Sequence, residues 1–116
     1  MKTLKILLID KHSLMRQIRQ LALENIQINK KQIKVTALEK PNAELDYSQF
    51  DIIISDENYA LIKRAADQHA IPLILLVYSM EDYKKAREQG QHSIIETGDL
   101  NNITGQLIPL ISLCSQ

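Results

Sequence analysis

Two aspartates close apolar runs in this chain. In FDIIISDENY, Asp56 follows Ile52–Ile54; in KILLID, Asp10 follows Leu4–Ile9. A carboxylate at the end of a buried strand must find water, a donor or a cation, because burial penalises its charge. It can cap the next helix, or it can belong to a site. Other chemistry is sparse. His12, His69 and His92 are scattered without metal-ligand spacing, and His69 is expected to cap or flank its helix. The glycines are Gly90, Gly98 and Gly105. None follows the first apolar run, so the glycine loop of a nucleotide or flavin site is missing.

The elements that would position the two aspartates follow from patterning. Continuous apolar runs at Leu4–Ile9, Ile52–Ile54, Leu73–Val77 and Ile94–Ile95, with a weaker one at Ile33–Leu38, read as strands buried on both faces. Helical stripes lie between them: Leu14, Ile18, Leu21 and Ala22; then Ile62, Ala65, Ala66 and His69; then Tyr83, Ala86 and Arg87, stopped by Gly90. A faint helix of about two turns is expected from Pro41 to Tyr47. The last spans Leu100, Ile103, Leu107, Leu110 and Ile111, capped by Asp99. Pro109 lies inside it, so a kink near Gly105–Pro109 or an early helix end is expected.

Alternating βα units predict an α/β fold: a flavodoxin-like, doubly wound three-layer sandwich with a five-stranded parallel sheet in the order 2-1-3-4-5. Ligands of such sheets bind beyond the carboxyl ends of the strands at the switch point. Asp10 and Asp56 should therefore share one crevice, with Tyr78, Ser79 and Thr97 as nearby hydroxyls and Tyr59 as a cover.

Bulk properties narrow the classes. The 116 residues suit one domain, 1–116, whether a whole protein or the first domain of a longer one. Net charge is zero, which disfavours direct nucleic-acid binding. No apolar run nears the roughly 20 residues of a membrane span, and MKTLKILLID is no secretory leader. The single cysteine, Cys114, fits a reducing cytoplasm.

The order of four segments resembles the receiver domain of two-component response regulators (CheY-like). KILLIDKHSLMRQ looks like its first strand, acidic turn and first helix. FDIIISD looks like the strand ending in the phosphoacceptor, IPLILLV like the fourth strand, and AREQGQHSII like the end of helix four and the fifth strand. The resemblance implies Asp56 as phosphoacceptor and Asp10, with the carbonyl of Asn58, as remnants of a divalent-metal pocket. Phosphoryl transfer to a carboxylate needs metal and lysine to neutralise charge in the transition state.

The chain departs from that pattern. Lys11 stands at the second acidic position. Val77 replaces the hydroxyl, Thr97 the lysine and Ile94 the aromatic switch residue. The loop after Asp56 is short, so the helix-3 region should be truncated and Asp56 should lie within a residue or two of that helix. Lys11 is expected to act as a counter-ion to Asp10 or Asp56.

These departures imply a pseudo-receiver: a cytoplasmic, non-enzymatic module of bacterial phosphorelay signalling. It would bind a protein partner or a second copy through the helix 4–strand 5–helix 5 face, independently of phosphorylation and without cofactor or membrane. One alternative is a phosphorylatable receiver using Asp56 with Mg2+ held by Asp10 and Asp56. Another is a small flavodoxin-like ligand-binding domain or enzyme built on the same two carboxylates.

Overall fold

The computed structural model describes residues 2–95 and 104–116. The elements run β1 (Thr3–Ile9), α1 (Ser13–Glu24), β2 (Gln27–Ile28), β3 (Lys31–Leu38), a 3-10 turn at Tyr47–Gln49, β4 (Ile52–Ser55), α2 (Ala60–His69), β5 (Leu73–Val77), α3 (Met80–Glu88), β6 (His92–Ile95) and α4 (Leu107–Cys114). The architecture is mixed α/β. The sheet has six strands in the order β2-β3-β1-β4-β5-β6, and only the β2–β3 pairing is antiparallel.

This corrects the expected five-stranded sheet in strand count and order. The added strand is β2, two residues long, at the edge. It folds back through Asn29 and Lys30, both at positive φ (52° and 64°). Two consecutive left-handed residues make a two-residue hairpin turn. Asn-Lys lacks the glycine that marks such turns in a sequence, so this one was silent.

The continuous apolarity of the strands reflects burial on two faces. Ile6, Leu8, Ile52 and Ile54 pack with Leu23 of α1 and with Leu107 and Ile111 of α4. Leu7, Ile9 and Ile53 pack on the opposite side with Phe50 and with Ile62, Ala65 and Ala66 of α2. α3 lies against β5 and β6 and buries Ala86. Its ends match the sequence signals: Ser79 accepts from the Asp82 amide at the N-terminus, and Gly90, at φ 73°, follows the C-cap Gln89.

Three helical expectations change. The segment Pro41–Tyr47 forms no α-helix; only the 3-10 turn follows it, where Tyr47 buries its ring and donates its hydroxyl to the Asn42 carbonyl at 2.7 Å. The stripe read on α1 is rotated. Leu14 and Leu21 are 63% and 62% exposed, while Arg19 and Leu23 are fully buried. The rotation also turns Gln20 and Glu24 toward β3, where they bond the carbonyl and amide of Val35. Finally, Pro109 causes no mid-helix kink. α4 begins at Leu107, so Pro109 lies in the first turn, where its missing N–H has no intrahelical acceptor to lose. Asp99, Leu100 and Ile103 lie outside the described residues.

Candidate functional site

β1 and β4 are parallel neighbours, with Ile9 beside Ser55. That register brings the following residues, Asp10 and Asp56, to the same sheet edge. The Asp56 amide donates to the Ile9 carbonyl at 3.0 Å, and the Asp10 amide to that of Leu38 at 3.0 Å. The two carboxylates expected to meet are therefore neighbours at the carboxyl ends of β1 and β4. Asp10 is fully buried and Asp56 is 6% exposed.

Asp10 is saturated from within the chain. Its Oδ1 accepts from the His12 amide at 2.9 Å, its carbonyl accepts from Arg16 Nη1 at 2.7 Å, and its Oδ2 is ion-paired with Nη1 of Arg19. Both charged side chains of that pair are wholly shielded from solvent. Sequence reading missed Arg19, which lies one turn and a half into α1. The signal present was an arginine next to the apolar stripe, and amphipathic logic assigns such a residue to the solvent face.

Lys11 is the corresponding correction. It was expected to pair with Asp10 or Asp56, but its ammonium binds Glu57 Oε1 at 2.8 Å, and both side chains are about half exposed. The hydrogen bond and charge of Glu57 raise the lysine pKa; the hydrogen bond and charge of Lys11 lower that of Glu57. Solvent screens such a pair, so it adds little to stability. Lys11 also gives Asp56 its backbone amide, donated to Oδ2 at 3.0 Å, and the more distant charge of its ammonium.

Asp56 is thus less satisfied than Asp10. Its Oδ1 is buried and has no hydrogen-bond partner. Burial raises its pKa above the ordinary aspartate value, against the Lys11 amide; the charges of Asp10 and Glu57 push it the same way as burial. The sign for stability follows. The folded chain holds this proton more tightly than the unfolded chain. Its contribution is therefore present below the ordinary aspartate range and is lost as pH rises through the folded value. Asp56→Asn should raise stability at neutral pH, and the gain should vanish in acid. Urea midpoints of both proteins across pH check this; a gain independent of pH would contradict it.

The chain leaves β4 through a turn in which Ser55 Oγ donates to the Glu57 carbonyl at 2.6 Å. Only Glu57, Asn58 and Tyr59 separate Asp56 from α2. The loop is short, as anticipated: only Glu57 and Asn58 stand between Asp56 and the N-cap Tyr59. Tyr59 occupies the N-cap position, and its side chain makes no capping hydrogen bond. Asn58 is exposed.

Val77 is half-buried at the end of β5 and, with Tyr78, Asp82, Lys85, Gln89 and Gln91, lines a 430 Å³ cleft that reaches Asp56, Glu57 and Asn58. Ile94 is buried in the core on the α1–α4 face, away from solvent. Thr97 lies outside the described residues. His12 packs edge-on against Tyr78, ring centroids 6.4 Å apart.

Among the described residues, no group of three or more His, Cys, Asp or Glu side chains is arranged to hold a metal ion. A divalent ion of the receiver type would fit poorly here: Asp10 is engaged on both oxygens, and the neighbouring side chain is an ammonium. Among the described residues no helix is long and apolar enough to cross a membrane. A scan against protein-family models finds none that matches the chain, and no similar sequence is found among curated proteins.

Proposed function

We propose that the chain is a pseudo-receiver with a flavodoxin-like core: a protein-interaction or dimerisation module of bacterial two-component-type signalling that works without aspartyl phosphorylation. The observation that carries this reading is the buried Arg19–Asp10 pair. A guanidinium supplies permanently, from within α1, the positive charge that a bound metal would supply conditionally. A charge that does not come and go with a ligand cannot shift a two-state equilibrium. The replacement of switch residues by Val77 and Ile94 supports the same reading, since neither side chain can hydrogen-bond a phosphoryl oxygen. The partner face proposed is that of α3, β6 and α4, where Met80 and Leu113 are exposed.

The test is incubation with acetyl phosphate and Mg2+, read by intact-mass spectrometry. No phosphoryl adduct is expected. A near-stoichiometric adduct that disappears in Asp56→Asn would replace this reading with the phosphorylatable receiver.

A further inference from the structure

The cleft between the end of β4 and α3 is not explained by a silent phosphorylation site. Its walls are apolar at Leu75, Val77 and Ala86 and polar toward Asp56. Two of its lining residues carry buried acceptors with no partner, Asp56 Oδ1 and Gln91 Oε1. Among the described residues, the charged side chains lining it are Asp56, Glu57, Asp82 and Lys85. Three are acidic and one is basic, so the lining carries surplus negative charge even with Lys11 paired to Glu57.

Unpartnered acceptors and surplus negative charge call for a cationic donor. Burial of the Asp56 carboxylate selects among cations. An ammonium is strongly hydrated and costly to bring to a dry acceptor; a guanidinium is weakly hydrated, planar and carries five N–H donors in a fork. An arginine side chain also has an aliphatic stem that suits apolar walls. A volume of 430 Å³ leaves room for one such side chain and part of an apolar neighbour.

We infer that this cleft receives an arginine side chain of a protein partner, with the Asp56 carboxylate as the principal acceptor. The inference rests on the interaction-module reading for the partner being a protein. The two fail separately: a phosphoryl adduct would end the module reading, whereas arginine recognition is read by titration.

The test is NMR titration of the full 15N-labelled chain with a capped leucyl-arginine amide, in parallel with its citrulline and lysine counterparts and with agmatine. Saturable shifts are expected at Asp56, Tyr78 and Gln91 with the arginine peptide. Binding of the isosteric, neutral citrulline peptide should be at least about tenfold weaker, and the lysine peptide should also be weaker. Asp56→Asn should abolish the preference for arginine over citrulline. Equal binding of arginine and citrulline by the unsubstituted chain, or no saturation at millimolar peptide, would overturn the inference whatever the variant does. Agmatine binding more tightly than the peptide would also overturn it, making the cleft a site for a free small guanidinium compound.

Discussion

Arg19→Met should cost the fold about 3–5 kcal/mol, the expected loss when one member of a buried ion pair is removed. The guanidinium and the Asp10 carboxylate are both fully inaccessible to solvent. Methionine fills part of the volume but leaves the Asp10 carboxylate with the His12 amide on Oδ1 and no ion-pair partner on Oδ2, since the Arg16 guanidinium binds the Asp10 carbonyl. A second variant separates charge from packing. Asp10→Asn combined with Arg19→Met should recover much of the loss, because neither charge then remains buried. Urea unfolding of the single and double variants measures the recovery. A single-variant loss below about 1 kcal/mol would mean that the pair is solvated in solution, and would remove the main support for a permanently neutralised pocket.

Ile54→Ala should cost about 2–5 kcal/mol, and Ile54→Val about 0.5–1.5 kcal/mol. Ile54 is wholly buried in β4, with Leu8 of β1 on one side and Ile74 of β5 on the other. Neighbours on both flanks are themselves strands tied by backbone hydrogen bonds, so the walls of the resulting cavity cannot easily close. Chemical denaturation of the two variants tests this. Equal losses for Val and Ala would show that the sheet collapses onto the smaller residue. Because Ile54 lies two residues before Asp56, the same variants report whether the cleft depends on this support: the amide shifts of Asp56 and Lys11 should move in Ile54→Ala and stay near their original values in Ile54→Val.

The parts of this protein written in its sequence are those governed by local composition. Leu73–Val77 is a strand with the bounds read from its apolar run. The Ile52–Ile54 strand extends one residue further, to Ser55. The stop at Gly90 and the buried positions Ile62, Ala65 and Ala66 were legible because a left-handed cap and a helical stripe are each set by residue type and spacing. The meeting of Asp10 and Asp56 was legible too, since parallel strands of an α/β sheet place their carboxyl ends together.

The partners of those carboxylates were decided by tertiary structure. A helix can turn about its own axis by one residue's worth of rotation and still bury a mostly apolar stripe, so the pattern of α1 did not determine which residue would face the sheet. The demand of a buried Asp10 for positive charge favours the orientation that presents Arg19 and leaves Leu14 and Leu21 in solvent. The same competition redirects Lys11. With Asp10 already neutralised, the flexible lysine pairs with the solvent-accessible Glu57 and avoids the desolvation that pairing at buried Asp56 would require. Spacing along the chain can bring charges into one crevice; which of them pair depends on the depth at which each can be satisfied.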